Sequence, residues 1–238
     1  MATPLQKFFD VILAGESKTY DDHNYYTSSG LRGFIRGGYG TPYSLLQKPL
    51  SEYTIGEVMN FQSRGRDSIG QLWATGRYQI IPDTLKGLVN SLNLPPNKVY
   101  DRSTQDLLGY ELLRGRTNLR KYLEKEVPDT QENLENAALD VARIWSSVGV
   151  PYVTQGRSQA VSKNQSYYAG GGDVAKIKTE DVQEALRNLR NGGLGLFKNL
   201  FGGGNLDDKQ KTLLTGVLGV GFLGLSAYLI YQIKKRFF

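Results

Sequence analysis

The run Phe8-Phe9-Asp10-Val11-Ile12-Leu13 constrains this chain more than any other stretch. Five of its six side chains are large and apolar, with the spacing of a buried helix. The rest of the chain must therefore supply a core around it. Ala14 and Gly15 follow, then Glu16 and Ser17. A carboxyl at the end of such a helix meets little water, and desolvation favours its protonated form. That is the state in which a glutamate can donate a proton near neutral pH. Ser17 stands where it can hold the carboxyl by a hydrogen bond. The competing reading is a helix that ends at Gly15 with a solvated glutamate beyond it.

Composition removes several chemistries. There are no cysteines, which excludes a disulfide framework, a Cys-based metal site and a thiol nucleophile. His23 is the sole histidine, so a Ser-His-Asp triad would have to use it, and a His-based metal site is not expected. Its setting, DDHNYY, reads as a solvated polar loop. No cofactor is implied. The net charge is +6, and most of the excess follows residue 170, where 10 Lys+Arg face 6 Asp+Glu. A basic excess beside an apolar segment points to a membrane surface rather than to nucleic acid.

Taken in order, residues 5–15 predict the first helix. Residues 20–43 read as a long Gly-, Ser- and Tyr-rich loop with a short hairpin at Gly33 to Pro42. A loop of that length inside a compact domain is usually functional. Ser51 to Phe61 predicts a second helix, with Thr54 and Glu57 as its capping box. Ser63 to Ser68 is a basic loop. Pro82 opens a third helix, as proline does in a first turn. Ser103 is the expected N-cap of a helix ending near Arg114, and Asn118 to Glu126 a shorter charged one. Glu132 to Ser147 reads as the longest, stopped by Gly149 and Pro151. A polar, Gly-rich stretch follows to Gly172, and Thr179 then caps an amphipathic helix to Asn191.

Gly192 to Gly204 is rich in glycine, with Leu and Phe between, and predicts a juxtamembrane segment. Thr212 to Ile233 holds no charge over 22 residues. At about 1.5 Å per residue such a run is long enough to cross a hydrocarbon core of about 30 Å. Tyr228 and Tyr231 near one end, and Lys234, Lys235 and Arg236 beyond it, suit an interfacial belt and a basic stop. The expected organisation is a globular domain over 1–172, a linker with an amphipathic helix over 173–211, a transmembrane helix over 212–233 and a basic tail over 234–238.

Three stretches come in a telling order: Glu16-Ser17 after an apolar helix, Gly76-Arg77-Tyr78-Gln79-Ile80-Ile81-Pro82-Asp83-Thr84, and Tyr167-Tyr168-Ala169-Gly170-Gly171-Gly172. Together they resemble the lysozyme-like superfamily and, within it, the lytic transglycosylases, where a catalytic Glu-Ser pair precedes GLMQIMPxT and then AYNAGPG. The second stretch agrees in Gly, Gln, Ile, Pro and Thr. The third has Tyr in place of Asn and Gly in place of Pro. The chain is also similar to phage endolysins of the lambda-lysozyme type over FFDVILAGE, ATGRYQ and ALDVARIWSSVGV, roughly residues 5–170.

That resemblance implies an α+β, mainly helical lysozyme-like domain. With the apolar run it adds one C-terminal transmembrane helix. It implies cleavage of the MurNAc–GlcNAc bond of peptidoglycan strands, with Glu16 as the one catalytic acid and Ser17, Tyr78, Gln79 and Tyr167 on the substrate. The competing readings are that Gln79 satisfies backbone groups and that Tyr78 and Tyr167 are core aromatics. No metal or cofactor is implied. The pairing with an anchor predicts a single-pass protein of a virion membrane or host inner membrane, in contact with lipid through Thr212 to Ile233 and with other virion proteins, and without nucleic acid. A hydrolytic muramidase, a bacterial membrane-bound transglycosylase and a non-catalytic membrane protein stay open beside it.

Overall fold

The computed structural model describes residues 4–17, 19–26, 32–35, 46–64, 71–170 and 175–192. Over these residues the protein is mainly helical, with seven α-helices and two small sheets. Helix α1 (Pro4–Leu13) buries Leu5, Phe8, Phe9, Ile12 and Leu13, one face at i, i+3, i+4, i+7 and i+8. It packs most extensively on α7 (Thr179–Gly192), which answers with Val182, Ala185, Leu186 and Leu189. Each such large side chain removed from water is worth about 1.5–3 kcal/mol, so the pair anchors the core. The Phe9 ring meets the edges of Tyr78 at 5.0 Å and Tyr110 at 5.3 Å. Tyr78 reaches that position because residue 109 is glycine: a Cβ there would stand 2.6 Å from the ring.

Strands β1 (His23–Tyr26) and β2 (Arg32–Ile35) form an antiparallel hairpin, with His23 opposite Ile35 and Tyr26 opposite Arg32. The pairing begins ten residues before the hairpin expected at Gly33 to Pro42, of which residues 36–42 lie outside the described ones. Strand β3 (Leu72–Thr75) lies on the other side of β1, giving the order β2-β1-β3. HNYY lacks alternation, and partners on both sides make it a strand.

The helix starts follow local chemistry. Thr54 Oγ1 accepts from the Glu57 N–H at 3.3 Å and Glu57 Oε2 from the Thr54 N–H at 2.7 Å, closing the capping box of α2 (Ile55–Ser63). Helix α3 (Pro82–Ser91) opens on its proline. Helix α4 (Arg102–Arg114) is capped by Asp101, not Ser103: the Asp101 carboxylate takes both the Thr104 N–H and the Ser103 hydroxyl at 2.8 Å. An ionised acceptor at a helix N-terminus outcompetes a hydroxyl. Helix α5 (Thr117–Leu123) borrows its cap from α6 (Gln131–Ala142), where Asp140 Oδ2 accepts the N–H groups of Asn118 at 2.9 Å and Leu119 at 3.1 Å. Helix α6 stops at Ala142, five residues before the expected Ser147. The polar stretch beyond holds a two-stranded ribbon, β4 (Thr154–Gln155) with β5 (Ala160–Val161).

Among the described residues no helix is long and apolar enough to cross a membrane. The transmembrane helix and the single-pass membrane location expected above are therefore not supported. The run Thr212 to Ile233 lies outside the described residues, as do most of the basic loop and the juxtamembrane stretch.

Candidate functional site

Helix α1 ends in a turn, with the N–H groups of Glu16 and Ser17 both donating to the Leu13 carbonyl at 3.1 Å. The Glu16 side chain leaves this turn half-buried. Its Oε1 accepts the backbone N–H of Ser147 at 3.1 Å, across 131 residues of sequence. The carboxyl is therefore neither enclosed by the apolar helix nor freely solvated. Ser17 is buried, and its hydroxyl donates to the Thr19 carbonyl at 3.0 Å, so it shapes the turn beneath Glu16.

From there a line of hydrogen bonds leads to the second motif. Thr19 Oγ1 donates to Asp22 Oδ1 at 2.7 Å, and the Asp22 carbonyl accepts from the Gly76 N–H at 2.7 Å. Residues 75–80 form a tight loop closed by a reciprocal pair, Thr75 N–H to the Ile80 carbonyl at 3.1 Å and Ile80 N–H to the Thr75 carbonyl at 3.0 Å. Gly76 sits at φ +74° and Gln79 at φ +48°. Left-handed backbone at a non-glycine residue costs about 1–2 kcal/mol, so the surroundings must hold Gln79 there. They do: Gln79 Nε2 donates to the Gly76 carbonyl at 2.8 Å, and Gln79 Oε1 accepts from Asn24 Nδ2 at 3.1 Å. Gln79 remains half-buried, at the far end of the segment that begins with Glu16.

Tyr78 points the other way. It is 3 % exposed, and its hydroxyl donates to Asp106 Oδ1 at 2.8 Å. Tyr20 donates to the same oxygen at 2.8 Å. Burial pushes the Asp106 carboxyl above the ordinary carboxylate value, and it pushes the Tyr20 phenol up to about 12. Arg77 joins the network through the Tyr20 hydroxyl at 3.2 Å and through Asp10. This is a polar seam that ties α1 to α4, and Tyr78 belongs to it.

Tyr167 is half-buried, edge-on to Tyr168 at 5.4 Å and beneath the Arg143 guanidinium at 5.5 Å. The Tyr168 hydroxyl donates to the Arg143 carbonyl at 2.7 Å, which ties the third motif to the turn leading from α6 to Ser147. Residues 171–172 of that motif lie outside the described ones. His23, expected as a solvated loop residue, is fully buried at the start of β1. Its Nδ1 lies 2.9 Å from the Asp21 carbonyl, and its Nε2 is buried without a partner among the described residues. Burial holds its pKa below the ordinary value.

The acids near Glu16 in sequence are engaged elsewhere. Asp21 Oδ1 accepts from the Ser51 N–H at 2.8 Å, Asp22 is fully buried against Thr19, and Asp10 pairs with Arg77. Ser147 is the contact that sequence reading missed. The local pattern places it at the end of a helix, and its one signal is its place in the stretch similar to phage endolysins. What the arrangement offers chemically is one half-buried carboxyl fixed by one N–H, with Asp10, Asp21 and Asp22 bonded to other groups.

No family model, no curated protein and no solved structure matches the chain. The likeness to the lytic transglycosylases therefore rests on its motifs alone.

Proposed function

We propose that the chain is a peptidoglycan lytic transglycosylase that cleaves the MurNAc–GlcNAc bond with Glu16 as its single acid and base. Protonated Glu16 gives its proton to the glycosidic oxygen as the C1–O bond of MurNAc breaks. The resulting carboxylate then takes the proton of the same sugar's C6 hydroxyl, whose oxygen closes onto C1. The products are a free GlcNAc end and a 1,6-anhydro-MurNAc end, with the glutamic acid regenerated and no water consumed. A hydrolase of the usual kind needs a second carboxylate on the opposite face of the bond.

The placement of Glu16 carries this reading: a half-buried carboxyl held by the Ser147 N–H, with Asp10, Asp21 and Asp22 committed to Arg77, Ser51 and Thr19. Gln79, held in left-handed backbone at the far end of the 16–24 segment, is the glycan contact this reading favours.

The test is to incubate the full chain and its Glu16→Gln variant with purified peptidoglycan and analyse the sugars by mass spectrometry. Anhydro-ended muropeptides from the parent are expected. In the variant the rate should fall by roughly 10²–10⁴-fold, the usual contribution of a general acid. Reducing ends would convert the assignment to a hydrolytic muramidase, and no release by the parent would refute glycan cleavage.

A further inference from the structure

The geometry points to Ser147 as the residue that positions the Glu16 carboxyl, an inference that rests on the reading of Glu16 as the acid. Ser147 is 4 % exposed and held from two sides. Its carbonyl accepts the N–H groups of Lys176 at 2.7 Å and Ile177 at 2.9 Å, from the strap that leads into α7. Two residues upstream, Trp145 Nε1 donates to the Tyr78 carbonyl at 3.3 Å, which fixes the turn against the 75–80 loop. So clamped, Ser147 presents its N–H to Glu16 Oε1.

Two further observations concern the side chain. The Ser147 hydroxyl is buried and has no hydrogen-bond partner among the described residues. It also lies against residue 15, where a Cβ would stand 2.8 Å from Ser147 Cβ, 2.9 Å from its Oγ and 3.1 Å from Ile177 Cδ1. Glycine at position 15 is what lets this turn close on the end of α1. A buried hydroxyl without a partner is unfavourable. Here it belongs to the residue already bonded to an acid that must lose and regain a proton. A hydroxyl can donate to a carboxylate and accept from a carboxylic acid, so it suits both states of the cycle. Ser147 thus holds Oε1 through its N–H alone, and its hydroxyl takes up the second role only when it turns about the Cα–Cβ bond to meet the carboxyl as the proton moves. Lys176 also lies at this junction, its Nζ donating to the Gly15 carbonyl at 3.3 Å.

The experiment uses the full chain and a soluble GlcNAc–MurNAc oligosaccharide, with kcat and KM measured separately beside the urea unfolding midpoint. Ser147→Ala keeps the N–H and removes the hydroxyl. The expected result is a fall in kcat on the order of tenfold, with KM within about twofold and the midpoint unchanged or raised. Gly15→Ala displaces the whole turn and should lower kcat further. An unchanged kcat in Ser147→Ala, or a fall matched by loss of folded protein, would overturn the assignment. A second readout needs no activity. Amide exchange at Ser147 should be slow in the parent and in Glu16→Gln, which keeps an acceptor, and faster by about tenfold or more in Glu16→Ala. Exchange unaltered in Glu16→Ala would overturn the contact itself. An inactive parent would instead overturn the transglycosylase reading and the catalytic role of Ser147 with it, whatever the exchange shows.

Discussion

Two glycines, exchanged for alanine, should move stability in opposite directions. Gly76 opens the 75–80 loop at φ +74°, and a Cβ there would lie 2.1 Å from Gln105 Oε1 and 2.7 Å from its Cδ. The left-handed backbone alone costs an L-residue about 1–2 kcal/mol. The collision costs more, because Gln105 is fully buried and is the partner of three backbone groups. Its Oε1 accepts the Arg77 N–H at 2.9 Å, and its Nε2 donates to the carbonyls of Tyr20 and Tyr100, each at 2.9 Å. Each buried group left without its partner costs about 1–3 kcal/mol. Loss of one or two of them together with the backbone strain puts Gly76→Ala at about 3–6 kcal/mol, a large part of a typical domain's stability. Gly87 lies inside α3 with nothing within 4 Å of a new Cβ, so Gly87→Ala should gain about 0.5–1 kcal/mol from helix propensity. Urea unfolding followed by far-UV circular dichroism measures both. Gly76→Asn separates the two costs, since asparagine tolerates the left-handed region but keeps the Cβ, and it should remain strongly destabilised. A Gly76→Ala variant within about 1 kcal/mol of the parent would show that the loop relaxes freely and that Gln105 does not hold it.

Other perturbations address single contacts. Tyr78→Phe removes the hydroxyl on Asp106 and should cost about 1–2 kcal/mol in urea unfolding, while glycan cleavage per folded molecule stays at the parent rate; a selective loss of activity would return Tyr78 to the substrate. Asp140→Ala uncaps α5, whose first N–H groups take no side chain of their own, and a loss of about 2 kcal/mol is expected; an effect below about 0.5 kcal/mol would mean that water replaces the carboxylate. His23 gives a pH signature. Burial lowers its pKa in the native state, so the unfolded chain binds the proton more readily, and stability, full above about pH 6.5, declines as the pH falls from there towards the lowered native value. It is the sole histidine, so His23→Gln should flatten the slope of unfolding free energy between about pH 6.5 and 5. An unchanged slope would refute the burial argument.

The features legible in the sequence are those that a few neighbouring residues decide. The Thr54–Glu57 capping box, the proline that opens α3, and the buried faces of α1 and α7 all depend on partners three or four positions away, and each is found where the pattern places it. That a carboxyl follows the end of α1 is local as well, but its half-buried state depends on the distant Ser147. What the pattern misplaced depends on distant partners. β1 is a strand because β2 and β3 flank it, and His23 is buried for the same reason. Tyr78 and Gln79 are adjacent, yet one enters the core and the other stays half-buried, because Gly109 opens a space for the first ring and a closed loop turns the second outward. Helix α6 ends early because the turn after Ala142 gains a bond from Trp145 to the Tyr78 carbonyl and one from Ser147 to Glu16. The sequence alone therefore singled out the carboxyl on which the proposed site is built and the kind of helix that carries it. The tertiary structure decided what holds that acid: a bond spanning 131 residues depends on the fold that closes the loop between them, and no local pattern encodes it.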